Sequence, residues 1–165
     1  MDLARLALKL AAEGGTVPVV SGGDPGVFAM AAAARLGAPL GHDFCAISLS
    51  DNLKPWAIVE RRLRAAADGD FVIALYNPAS KARPTGITQA FDLLRTVKAP
   101  PTPVAFARAV GRADETLIVT TLGEADASLA DMATLVVIGS NETRLIARDG
   151  ARPWMLTPRA YGVRR

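Results

Sequence analysis

Leu3, Leu6, Ala7, Leu10 and Ala11 recur at helical spacing, and Gly14-Gly15 closes that run. Val17-Pro18-Val19-Val20 reads as a short buried strand, loosened by Pro18. Ser21-Gly22-Gly23 then turns the chain. Asp24 at a cap position and Pro25 just inside predict a helix through Leu36, ending near Gly37. Residues 37–42 read as a loop, and the alternation over 44–49 predicts a strand. Ser50-Asp51-Asn52 is a turn or a cap. Residues 55–67 form an amphipathic helix with Trp56, Val59, Leu63 and Ala66 on its apolar face. Asp68-Gly69-Asp70 breaks it. A strand over 71–75 precedes a mostly helical stretch over 84–98, with Ile87, Ala90, Phe91 and Leu94 on one face. Pro100-Pro101 ends that stretch. Strands follow over 104–107, 116–121 and 135–138, with a short helix or turn over 125–130. Residues 144–165 read as a basic, irregular tail. Helices alternating with short strands define the α/β class.

Composition narrows the function classes. The 165 residues are 50% hydrophobic and 21% charged, enough for a packed core. The net charge of +3 is compatible with an anionic small-molecule ligand and with ordinary surface charge alike. Arg61-Arg62-Leu63-Arg64 is the one basic cluster and reads as a solvated helix face. It has no aromatic nucleic-acid motif or zinc-finger spacing beside it, so no nucleic-acid partner is expected. Cys45 is the single cysteine, which excludes an intrachain disulfide. No stretch resembles a signal peptide or approaches the ~20 apolar residues of a membrane span. The expectation is a cytoplasmic protein with no membrane partner.

Two runs carry the candidate chemistry: Ser21-Gly22-Gly23-Asp24-Pro25-Gly26-Val27-Phe28 and Ala74-Leu75-Tyr76-Asn77-Pro78-Ala79-Ser80-Lys81-Ala82-Arg83-Pro84. Both lie at the carboxyl end of an expected strand, where open α/β sheets bind small molecules. Gly22 and Gly23 allow a ligand close to the backbone, or simply turn it. Asp24 is a helix cap or an acceptor for a ligand amine or hydroxyl. Pro78 disfavours a helical Asn77 and leaves it extended, with its amide available to a ligand, or else the run is a plain turn. The glycines match neither a Walker loop nor the Gly-x-Gly-x-x-Gly fingerprint of nicotinamide enzymes. His42 beside Asp43 is a conceivable general base or a loop histidine without a role. One histidine and one cysteine exclude a His/Cys metal site. No Gly-x-Ser-x-Gly elbow supports a hydrolase.

Ser-Gly-Gly-Asp-Pro-Gly-Val-Phe-Ala-Met (21–30) resembles the Gly-Asp-Pro loop of tetrapyrrole methyltransferases. Leu-Gly-Ala-Pro-Leu-Gly-His-Asp-Phe-Cys-Ala-Ile-Ser-Leu-Ser-Asp-Asn-Leu-Lys-Pro-Trp (36–56) and the Tyr-Asn-Pro run (74–84) are similar, within that family, to the precorrin-3B C(17)-methyltransferases. The resemblance covers nearly the whole chain. It implies a two-lobed α/β fold with S-adenosylmethionine in the cleft between lobes, usually in a homodimer. It implies methyl transfer to ring carbon 17 of an acidic precorrin-3B-type tetrapyrrole, either precorrin-3B or its cobalt form, with ring contraction, in cobalamin biosynthesis. Such a step needs alignment and a dry site, and no metal or covalent enzyme nucleophile.

Carried over by motif, the resemblance places Gly22, Gly23, Asp24, Val27, Phe28, Tyr76, Asn77 and Ala109 on the cofactor. Ser48, Ser50 and Asp51 would face the substrate. Lys81, Arg83 and Arg108 would pair with its carboxylates. No general base is assigned. Relative to the family, the opening strand with its Gly-x-Gly-Pro-Gly turn is absent. A stretch between the Gly-Asp-Pro helix and Leu36 is also shortened. The expected architecture is a truncated first lobe over 1–43 and a complete α/β second lobe over 44–165. A catalytically inactive remnant or binding module is the alternative.

Overall fold

The computed structural model describes residues 25–160 except 53 and 79–84. The expected helix over 3–12, the strand over 17–20, and Gly22, Gly23, Asp24, Lys81 and Arg83 lie outside the described residues, as does the side chain of Val27. The elements in order are α1 (Pro25–Leu36), β1 (Gly37–Ala38), β2 (Phe44–Ser48), α2 (Trp56–Asp68), β3 (Val72–Tyr76), α3 (Gly86–Arg95), β4 (Pro103–Arg108), β5 (Thr116–Thr121), a 3-10 turn (Ala127–Leu129), β6 (Thr134–Ile138), β7 (Arg144–Arg148) and β8 (Ala151–Leu156).

Five strands form one sheet in the order β2-β3-β6-β4-β5. β2 and β3 are parallel, as the intervening helix α2 requires. β6 runs antiparallel to both β3 and β4. It follows that β2, β3 and β4 all point the same way, and their carboxyl ends share one edge.

The central strands are buried on both faces, so they read as unbroken apolar runs. Alternation divides their side chains into two clusters. Ile73, Leu75, Val104, Phe106, Val136 and Ile138 meet α2 and α3, which contribute Val59, Leu63, Ala66 and Ala67, and Ile87, Ala90, Phe91 and Leu94. Those helix positions are the ones that the 3.6-residue period selects. The opposite face carries smaller side chains, among them Ala74, Ala105 and Ala107, and packs against Ala29, Ala32 and Leu36 of α1.

The expected irregular tail is a hairpin. β7 and β8 pair antiparallel, and Gly150 turns between them at φ +62°. The ladder slips between Ile146 and Arg148, and Pro153 falls in that irregular stretch, where its missing N–H costs no ladder bond. Met155 of β8 is fully buried in the α1-side cluster. The expected loop over 37–42 also contains a strand, since Gly37 and Ala38 pair in parallel with Met155 and Leu156. Gly37 sits at φ +116°, and a Cβ there would lie 3.1 Å from the Met155 carbonyl oxygen.

A buried hydroxyl cluster locks the junction. Thr143 Oγ1 lies 2.8 Å from Thr157 Oγ1, and Thr157 Oγ1 donates to the Pro39 carbonyl at 2.5 Å. Ser140 N donates to Thr143 Oγ1 at 2.8 Å. Each of these buried polar groups is therefore satisfied.

Candidate functional site

The shared strand edge is shaped by two left-handed backbone positions. Asn77 follows β3 at φ +52°, left-handed rather than extended as expected, and Ala109 follows β4 at φ +50°. Asn enters this region readily, whereas Ala carries a Cβ penalty there. Leu75 and Phe106 both lie opposite Val136, so the two strands end at one level on either side of β6. Two inter-strand spacings put them about 10 Å apart.

A cleft of about 240 Å³ opens beside Asn77. One wall comes from the turn after β2 (Leu49, Ser50, Asp51, Asn52), another from Asn77 and Pro78 after β3. The first residues of α2 and α3 close it, through Trp56 and through Gly86 and Gln89. Met132, from the turn before β6, completes it. Close packing brings these segments together: a Cβ on Gly86 would meet the Pro78 and Leu49 carbonyl oxygens and the Trp56 ring within 4 Å. Ser48 stands behind the cleft wall. Its Oγ accepts from Asn77 Nδ2 and from Ser50 N, each at 3.2 Å.

The structure thus brings Ser48, Ser50, Asp51 and Asn77 together. Tyr76 faces the other way, against the α1-side cluster, and Phe28 is half exposed on α1. Ala109 is buried just past the end of β4. Arg108 is already engaged: Nε donates to Asp131 Oδ2 at 2.8 Å and Nη1 to Asp114 Oδ2 at 2.9 Å. The hydrogen bonds with Asp131 and Asp114 hold the guanidinium pKa above its ordinary value. Bonds from Arg108 hold Asp114 below the usual carboxylate range. Asp131 is also held low: its partial burial opposes this, and bonds from Arg108, Thr134 and Ala133 prevail. Where substrate carboxylates were expected, two carboxylates of the chain itself sit on Arg108.

Sequence reasoning missed Asn52, Trp56, Thr85, Gly86, Gln89 and Met132. The signal for Trp56 and Gln89 was available, because a helix start following a strand borders the ligand edge of an α/β sheet. His42 lies just before β2, on the opposite edge, where Asp43 N donates to its Nδ1 at 2.7 Å. That removes it from the cleft.

Cys45 is a weak nucleophile near neutral pH. Burial pushes its thiol up to about 11, although the Lys98 ammonium acts in the opposite sense. At pH 8 its alkylation by iodoacetamide is expected to run about two orders of magnitude slower than for a free thiol. A rate equal to that of free cysteine would contradict the burial. The unfolded thiol ionises first as pH rises, so this group subtracts stability between pH 9 and about 11.

A polar cleft at the carboxyl ends of the parallel strands of an α/β sheet is where such folds bind small molecules. The comparisons specify it. The profile of the tetrapyrrole (corrin/porphyrin) methylases matches residues 29–126. The precorrin-3B C(17)-methyltransferase of a Sinorhizobium species is 54% identical, over 98% of this chain and 75% of that protein. A probable cobalt-factor III C(17)-methyltransferase of Salmonella typhimurium is 39% identical, over 98% of this chain and 76% of that protein. The crystal structure of the methyltransferase CobJ superposes with TM-score 0.75 at 45% identity, covering 94% of this chain and 75% of that one. The cobalt precorrin-4 methyltransferase CbiF shares the fold, with TM-score 0.54 at 21% identity. The chain belongs to the tetrapyrrole methylase family. Its match to the Sinorhizobium protein runs over 191 residues against 165 here, so that relative holds residues inside the matched region that this chain lacks.

Proposed function

We propose that the protein transfers a methyl group from S-adenosylmethionine to ring carbon 17 of a precorrin-3B-type tetrapyrrole, with ring contraction, in cobalamin biosynthesis. The observation that carries this reading is the convergence of the Ser50–Asn52 turn and the Asn77-Pro78 turn on one cleft, in a chain 54% identical to a precorrin-3B C(17)-methyltransferase.

At about 240 Å³ the cleft falls below the ~300–1,000 Å³ of whole small-molecule sites. It fits a fragment of donor or substrate, with other walls supplied elsewhere. The bound donor supplies an electrophilic methyl on a sulfonium, which leaves as a neutral thioether when the new carbon–carbon bond forms. The chain's part is to orient and to exclude water. Asn77 and the Ala109 backbone border the adenine side in this reading, with Tyr76, Phe28, Val27, Gly22, Gly23 and Asp24 toward the rest of the donor. Ser50 and Asp51 face the tetrapyrrole. Asp51 is an acceptor, which suits pyrrole N–H groups better than carboxylates. Lys81 and Arg83, which the chain places between the cleft residues Pro78 and Thr85, stay assigned to the substrate's carboxylates.

The division into lobes over 1–43 and 44–165 is part of the same proposal. So are a cytoplasmic location and a homodimer. Ile146, Trp154 and Leu156 are large apolar side chains left exposed on one face of the β7–β8 hairpin, which supports self-association.

The test is calorimetry with S-adenosylmethionine, then incubation with donor and precorrin-3B followed by mass spectrometry. Saturable binding and a singly methylated, ring-contracted product are expected. Absence of both would leave the inactive-remnant alternative standing.

A further inference from the structure

We infer that Arg108 is a positioning residue for methyl transfer: it ties the turn after β4, which carries Ala109, to the turn before β6, which carries Met132. The inference rests on the function proposed above. It assigns Arg108 a role through its neighbours rather than on the substrate.

The Asp131 arm organises one wall. Asp131 Oδ1 accepts from Ala133 N at 2.9 Å and from Thr134 Oγ1 at 2.8 Å. Asp131 N donates to Thr134 Oγ1 at 3.1 Å. The turn that presents Met132 to the cleft is thus closed on itself, and Arg108 Nε holds the remaining oxygen of Asp131 at 2.8 Å.

The Asp114 arm organises the turn after β4. Arg112 N donates to the Ala109 carbonyl at 3.0 Å, and Gly111 N donates to Glu115 Oε2 at 2.7 Å. These bonds fold residues 109–115 into a compact turn, and Arg108 Nη1 fastens it through Asp114. The two turns also touch directly, since Ala109 N donates to the Ala133 carbonyl at 3.0 Å.

Ala109 is an alanine held in the left-handed region, a conformation that persists where its surroundings over-determine it. Arg108 bonds to both turns, through Asp131 and through Asp114. A planar fork can reach two carboxylates at once, which an ammonium on a single stem does poorly. The three side chains are partly solvated, and ion pairs of that kind add little to stability. The cluster therefore fixes shape more than it adds free energy of folding. An acidic substrate approaching Arg108 would meet a guanidinium whose charge Asp131 and Asp114 already offset.

The experiment compares Arg108→Gln, Arg108→Lys, Asp131→Asn and the Gln/Asn double variant in the whole chain. The readouts are S-adenosylmethionine affinity, kcat, KM for the tetrapyrrole, and thermal melting. Positioning predicts that Arg108→Gln and Asp131→Asn each lose affinity and kcat alike, by about tenfold, with melting little changed. The double variant should be no worse than either single one, and Arg108→Lys should recover part of the loss. A rise in tetrapyrrole KM confined to Arg108→Gln, with Asp131→Asn neutral or improved, would mean a direct substrate contact and overturn the inference. So would wild-type values in both Arg108→Gln and Asp131→Asn beside an active wild-type protein. A wild-type chain with neither donor binding nor turnover would fail the function itself, and the inference with it.

Discussion

Replacing Asn77 by glycine is expected to lower kcat/KM for methyl transfer about a hundredfold while the protein stays folded. Glycine is the replacement of choice because Asn77 sits at φ +52°, where alanine would add strain of its own. The change then removes only the side chain. What it removes is the carboxamide lining the cleft and its 3.2 Å bond to Ser48 Oγ. One partly buried bond between neutral groups is worth about 1 kcal/mol, a few degrees of melting temperature at most. Steady-state kinetics set beside a thermal melt separate the two effects. Full activity in the glycine variant would remove Asn77 from the site.

The largest stability effect is expected at Phe91. Its ring is 1% exposed and meets the Phe106 ring edge-on, with centroids 6.0 Å apart and planes at 85°. Arg95 covers it, the guanidinium carbon 5.6 Å from the centroid. That arginine also donates to the Leu122 carbonyl at 3.1 Å and the Ala125 carbonyl at 2.8 Å, so the ring lies under a bridge between α3 and the end of β5. Phe91→Ala is expected to cost about 3–5 kcal/mol, the range for emptying a packed aromatic site. Domains of this kind have about 5–15 kcal/mol in all. Urea unfolding should show a lower midpoint with an unchanged slope. A loss near 1 kcal/mol would mean that α3 collapses onto the sheet and fills the space.

Local periodicity accounts for what was legible. Val59, Leu63 and Ala66, and Ile87, Ala90, Phe91 and Leu94, mark their helices because each helix buries one stripe. The strands around Ile73, Val104 and Val136 were legible because both faces are covered. The β7–β8 hairpin was not, since arginines and Pro153 interrupt its alternation, although Asp149-Gly150 is a hairpin turn signal. β1 was beyond reach because two residues carry no period, and only pairing with Met155 and Leu156 makes them a strand. At the site, Ser50, Asp51 and Asn77 lay in motifs, whereas Met132 reaches the cleft through the tertiary fold alone. For Arg108 the sequence displays a charge and hides its partners.

The hydroxyl of Thr157 grips the Pro39 carbonyl across a separation of 118 residues, and Arg152 reaches the Arg35 carbonyl across 117. Closing so long a loop is slow, and contacts of that span form late. While the ribosome still encloses the 151–157 segment, the helix formed by 25–36 lacks the strand that finally fastens its end. The five-stranded sheet, whose last strand ends at Ile138, can therefore pair before the end of that helix is fastened.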